Sequence, residues 1–363
     1  MNGTTEPTGQ PGPAKYEQVA ASAPATTVAT FDTERKTILT QAQHFLHANP
    51  TAIPFIVLAL AVTFFSLLVG GRFFAPFNLS LILQQVTIIG TVGIAQTLII
   101  LTAGIDLSVG AIMVLSSVVM GRLAVLSGLP VEIAFALGLL TGAACGFING
   151  SLITWLKLPP FIVTLGTWSI FGALILGYSH SQTIRQQDLE ATAPFLQFMG
   201  KAIDFFGARL TYGSILMVLL ATLVWYVLNR TAFGRHIYAT GDDPDAARLA
   251  GISTTNTLIA VYTIAGVTCS LAAWALIGRI GAISSISGGN ANLDSITAVV
   301  IGGTSLFGGR GSIVGTLVGA LIVGVFRNGL ALAGADALWQ EFTIGLLIIT
   351  AVSLDQWIRR VSG

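Results

Sequence analysis

Asp106 stands in the run ILTAGIDLSVGAIM, residues 100–113, among glycines, small residues and aliphatics. An ionised carboxylate in hydrocarbon costs about 3 kcal/mol or more, so it requires water, a partner or helix-terminal N–H groups. Asp106 and Ser108 directly precede an apolar segment, and either is placed to cap the N-terminus of a helix there. Gly104 and Gly110 bracket the pair as hinge points. A proton relay or a substrate contact is the other chemistry open to this carboxylate. NANLDSITA, 290–298, repeats the arrangement, with Asp294 as the cap. Other polar side chains interrupt apolar runs at Gln84, Gln85, Gln96, Asn149, Thr164, Thr167 and Asn328. They suit hydroxyl contacts along a translocation path, and each serves equally an interhelical hydrogen bond.

Enzyme chemistry finds no footing in this inventory, and no catalytic residue is assigned. The histidines, His44, His47, His180 and His236, all lie in polar segments, without H-E-x-x-H or any metal-ligand spacing. There is no G-x-S-x-G elbow. The run GGTSLFGGRGSIVG, 302–315, fails as a dinucleotide fingerprint, because Val314 stands where a glycine is needed and no strand pattern precedes it. A phosphate-binding P-loop needs Gly-Lys followed by Ser or Thr; only Lys201 follows a glycine, and Ala202 comes next. ATP and Mg would therefore have to be bound by another subunit, and no cofactor is expected here.

The elements that must position these residues are membrane helices. The chain has 363 residues, 53% hydrophobic and only 9% charged, with mean hydropathy +0.81. A soluble domain is roughly 25% charged, so lipid is the solvent for much of this surface. A net charge of +1 gives no argument for nucleic acid. Cys145 and Cys269 fall within apolar runs and read as small buried hydrophobes. Spans of roughly 20 apolar residues place about ten crossings, near 51–70, 79–102, 108–126, 132–156, 161–178, 212–228, 256–278, 294–307, 312–332 and 341–357. The eighth is short. Residues 1–49 read as a largely disordered cytoplasmic tail with room for a short surface helix over 31–48, and 50–360 as the transmembrane domain. With both termini inside, nine basic residues from Arg35 onward face the cytoplasm against seven outside, a small bias in the expected direction.

Gly138, Gly142, Gly146 and Gly150 recur every four residues, as do Gly311, Gly315 and Gly319. Such stripes lie on one helix face and let a neighbouring backbone approach closely. Phe147, Asn149, Gly150, Thr164, Gly166 and Ile170 recur 179 residues later as Phe326, Asn328, Gly329, Thr343, Gly345 and Ile349. The copies lie an odd number of crossings apart, which predicts an inverted internal repeat.

The most charged loop, 229–255, carries Asp242, Asp243 and Pro244 as a helix start, Asp245, Ala246, Ala247, Arg248, Leu249 and Ala250 as a short helix, and Gly251 as its stop. A two-turn helix is unstable alone, so this one reads as a docking element for another protein, with Leu249 and Ile252 as anchors.

GIDLSVG (104–110), GDDPDAARLAGI (241–252) and GGTSLFGGRGSIVGTLVGALIVG (302–324) together resemble the permeases of bacterial ABC importers of ribose, xylose or fructose, over about residues 50–360. The resemblance implies an all-α polytopic homodimer in the bacterial inner membrane. It implies an ATPase partner on the cytoplasmic side and a periplasmic sugar-binding protein outside. Asp243, Ala246, Ala247, Arg248 and Gly251 would then contact the ATPase, with Asp242 and Asp245 beside them. Two departures stand out. Family members often carry Asn where this chain has Asp242 or Asp243. They also often carry glycine at Ala103, where alanine fits a helical backbone but not a positive φ. The rival reading is a secondary transporter using Asp106 or Asp294 for ion coupling.

Overall fold

The computed structural model describes residues 52–361 apart from Phe206 and Gly289. The expectations of a disordered tail and of a helix over 31–48 lie outside the described residues. Helices α1 (Ala52–Val69), α2 (Pro76–Leu101), α3 (Val109–Gly121, continued by a π turn to Leu126), α4 (Val131–Trp155) and α5 (Pro160–Ser179) follow one another through short turns. A polar stretch then folds as α6 (Gln186–Thr192), a 3-10 segment and a hairpin of β1 (Ala202–Phe205) and β2 (Ala208–Thr211). After α7 (Tyr212–Arg230) come α8 (Ala232–Asp242), α9 (Pro244–Leu249), α10 (Thr254–Ile280), α11 (Ala291–Ile301), α12 (Ile313–Leu332) and α13 (Ala337–Val361).

Among the described residues, eight helices are long and apolar enough to cross a membrane: α1, α2, α3 with its π turn, α4, α5, α7, α10 and α12. The remaining two of the ten expected segments are shorter as apolar helices, Ala291–Ile301 and Ala337–Thr350. At 1.5 Å per residue, α11 reaches about half of a ~30 Å hydrocarbon core. Loop 302–312 continues from its end.

The first glycine stripe does what its spacing predicts. A Cβ on Gly142 would strike the backbone of Gly266 in α10, and one on Gly146 the Tyr262 carbonyl. On Gly150 it would lie 2.9 Å from Ile259 Cα. The second stripe is shorter than expected. Gly315 and Gly319 meet the backbone of α11 at Gly302 and Ala298, but Gly311 lies before the N-cap Ser312 and outside the helix. Serine and threonine hydroxyls clasp the buried seams: Thr87 with Ser214 at 2.7 Å, Thr97 with Thr316 at 2.6 Å and Ser116 with Ser270 at 2.8 Å. Cys145 and Cys269 are buried free thiols.

Two pairs of helices lie close to 179 residues apart. Shifting α2 by that interval gives 255–280 against α10 at Thr254–Ile280; α5 shifts to 339–358 against α13 at Ala337–Val361. α2 packs on α12 as α10 packs on α4, and α11 joins α12 and α13 as α3 joins α4 and α5.

Candidate functional site

The predicted site residues other than Asp294 fall into three places. The first is the turn between α2 and α3. Asp106 is buried, and its Oδ1 accepts from both the N–H and the hydroxyl of Ser108 at 2.6 Å. Ser108 holds the N-cap position of α3 without a side-chain cap, so the carboxylate does the capping from two residues upstream. Asn149 of α4 donates to Ser108 Oγ at 2.8 Å and to Asp106 Oδ2 at 3.3 Å. With its amide oxygen and nitrogen assigned to satisfy their neighbours, Gln96 of α2 meets the backbone of Asp106 on both sides, donating to its carbonyl at 3.2 Å and accepting from its N–H at 3.3 Å. Thr164 of α5 donates to the Ile105 carbonyl at 3.0 Å, and Asn292 of α11 to that of Leu107 at 3.3 Å. Four helices thus clamp one turn. Gln96, Asn149 and Thr164 make here the interhelical hydrogen bonds that were the second role open to them. Thr167 stays within its own helix, on the Thr164 carbonyl. Gly104 admits the Tyr262 hydroxyl, since a Cβ would lie 2.6 Å from it, and Gly110 sits in ordinary contact with the Asn292 backbone.

Ala103, one residue before Gly104, has φ +59. This is the conformation alanine fits poorly, at about 1 kcal/mol. Ala103→Gly is expected to raise stability by about that amount, read as a higher midpoint of thermal unfolding in detergent.

The second place is a cavity of about 280 Å³ at the opposite end of α2. Gln84 and Gln85 of α2 and Asn328 of α12 line it, together with Asn78 and Arg279, which sequence reasoning missed. Asn328 donates to Asn78 Oδ1 at 2.9 Å. A smaller adjoining pocket shares Gln84 and Arg279 and reaches Thr87 and Thr211. The amides offer paired donors and acceptors and Arg279 adds N–H donors, a lining that can hydrogen-bond hydroxyl groups. Arg279 had no pattern to mark it, being a lone cation in the last turn of α10.

Asp294 corrects an expectation. It sits inside the first turn of α11, where Asn290 is the N-cap, and makes no cap. Its Oδ1 accepts from Arg327 Nη2 at 2.7 Å, and Arg327 Nη1 donates to Glu341 Oε1 at 2.9 Å. The cluster ties α11, α12 and α13 together, and side chains 33 residues apart in sequence left no local signal for the pairing.

The third place is the 229–255 loop, most of which is helical. Thr231 caps α8, and Asp243 caps α9, accepting from Asp245 N–H at 2.9 Å and Ala246 N–H at 3.0 Å. At the other end Gly251, φ +84, donates to the Arg248 carbonyl and Ile252 to that of Ala247, the Schellman pattern. Asp242, Asp245, Ala246, Arg248 and Gly251 are exposed, and Leu249 stands 91% exposed. Ala247 corrects the contact set: it is 4% exposed, so it faces its own chain.

The family model described as "Branched-chain amino acid transport system / permease component" matches residues 78–352. The chain is 57% identical over 361 residues to a fructose import permease protein of Rhizobium meliloti, covering 99% of this chain and 100% of that one. It is 40% identical to a ribose import permease protein of Bacillus subtilis (strain 168), over 90% and 97% of the two chains. It is 34% identical to a D-allose transport system permease protein of Escherichia coli (strain K12), over 84% and 91%. No solved structure matches it.

Proposed function

Because the chain belongs to the branched-chain amino acid transport system / permease component family, as a sugar-import permease of the ABC type, we propose that it carries a monosaccharide through the inner membrane by alternating access, driven by a separate ATPase. The observation that carries this reading is the full-length match to a fructose import permease. Fructose is accordingly the first sugar to test, with ribose next. This subunit performs no covalent chemistry; ATP and Mg belong to the partner.

α9 is the ATPase dock. It is capped at both ends, so two turns hold their shape, and it presents Ala246, Arg248 and Leu249 outward. Asp242, Asp243, Asp245 and Gly251 frame that face, and Ala247 seats it. The termini and α9 lie in the cytoplasm, consistent with the basic residues around it. The amide-lined cavity then opens on the periplasmic side, where a sugar-binding protein delivers its cargo to Gln84, Gln85 and Asn328. Two copies of the chain pair as a homodimer. Within each copy α2–α5 and α10–α13 form the inverted repeat, supported by their matching packing partners.

The test is purification of the tagged chain from native membranes, followed by reconstitution. An ATPase and a soluble sugar-binding protein are expected to co-purify, and fructose uptake to require both with ATP. Uptake that survives ATP depletion but collapses with an uncoupler would replace this reading with ion coupling through Asp106 or Asp294. Leu249→Glu is expected to release most of the ATPase while membrane insertion stays intact.

A further inference from the structure

The glycine-rich loop 302–312 takes no part in the reading above, yet the end of α8, which leads into α9, is fastened to it as well as to α7, α10 and α2. The Tyr238 hydroxyl of α8 donates to the Gly311 carbonyl at 3.0 Å. Three residues on, about one turn along the same face, Gly241 fills a slot between two separate parts of the chain. A Cβ there would strike the Leu101 carbonyl, which ends α2, and lie 2.9 Å from Gly309 N. Gly309 N–H donates to that same Leu101 carbonyl at 3.0 Å. A Cβ on Gly308 would lie 2.5 Å from the Gly241 carbonyl and 2.8 Å from Ala103 N. Gly308 and Gly309 both have positive φ, +84 and +69, so the loop reaches these contacts through backbone that only glycine adopts freely.

Three segments therefore meet backbone to backbone: the end of α8, the end of α2 with the turn at Ala103, and loop 302–312. Side chains absorb a displacement by changing rotamer; a joint without them passes it on. One arm leads through Leu101 and Ala103 to the clamped Asp106 turn. The other leads through the loop to α11 and α12, themselves in backbone contact at Gly302 and Gly315.

We infer that Tyr238, Gly241 and the Gly308–Gly309 pair form a two-armed joint that delivers a displacement of α9 to α2 and to α11–α12 at once, with Tyr238 as a positioning residue. The inference rests on α9 being the ATPase dock. Its test uses the assembled transporter, permease with ATPase and sugar-binding protein, in proteoliposomes. Tyr238→Phe keeps the ring and removes only the donated hydroxyl. ATPase retention and ATP hydrolysis are expected to stay at the level of the unaltered protein, while sugar moved per ATP falls about fivefold, the factor corresponding to one hydrogen bond of about 1 kcal/mol. An unchanged sugar-to-ATP ratio overturns the joint, and so does loss of the ATPase from the Tyr238→Phe complex, which would make the hydroxyl part of the docking surface. Leu249→Glu run in parallel separates the two readings: full retention of the ATPase by that variant brings down the dock, and with it this inference.

Discussion

Leucine at Gly146 is expected to abolish folding of the permease. The α4–α10 seam is built without side chains at this point, and even a methyl group at Gly146 would overlap the Tyr262 carbonyl. Backbone on both sides cannot yield by changing rotamer, so the cost lies at or beyond the upper end of ordinary overpacking, about 3 kcal/mol. Gly142, against Gly266, predicts the same outcome. Gly166 of α5 provides the control, since nothing lies within 4 Å of a Cβ placed there. Detergent-extractable, monodisperse protein is the measurement: none from Gly146→Leu, a normal yield from Gly166→Ala. A normal yield from Gly146→Leu would remove the close-packing account of the stripe.

The second large effect belongs to Arg327. Its side chain is 18% exposed and that of Asp294 12%, so the pair is largely withdrawn from solvent. Arg327→Leu strands the Asp294 carboxylate among α11, α12 and α13, with a loss of about 3–5 kcal/mol. Asp294→Leu alone is milder, because Arg327 keeps Glu341, whose side chain is 48% exposed. The double variant, with Leu at both positions, removes the uncompensated charge and is expected to recover most of the loss. A double-mutant cycle by thermal unfolding reads this coupling directly. Additive losses would mean that the two side chains act independently and that the ion pair does not hold α11 against α12.

How far the sequence carried the site depended on how local each contact is. The bonds that cap α9 at Asp243 and stop it at Gly251 link residues two to five apart, and both form as their types dictate. The stripe on α4 was legible because small residues at four-residue spacing have one consequence in a helix. Gly311 shared that spacing but not that helix, since Ser312 starts α12 one residue later. Gln96, Asn149 and Thr164 were recognised as polar groups out of place, but the turn they hold was not legible. Their common partner is a short backbone segment that several helices meet only after packing. Tyr238 and Arg279 gave no signal, being single residues without a pattern.

By itself, then, the amino-acid order settled the solvent, the succession of apolar helices, the faces that pack without side chains and the capped stub in the charged loop. Each of these follows from hydropathy, periodicity or hydrogen bonds within one turn. Tertiary structure alone decided which buried polar groups share a partner, that Asp294 pairs with Arg327 rather than capping a helix, that Ala247 faces inward and that the glycine-rich loop meets α8. Those contacts join segments tens to hundreds of residues apart, and a buried polar group takes whichever partner the packed helices bring within hydrogen-bond reach.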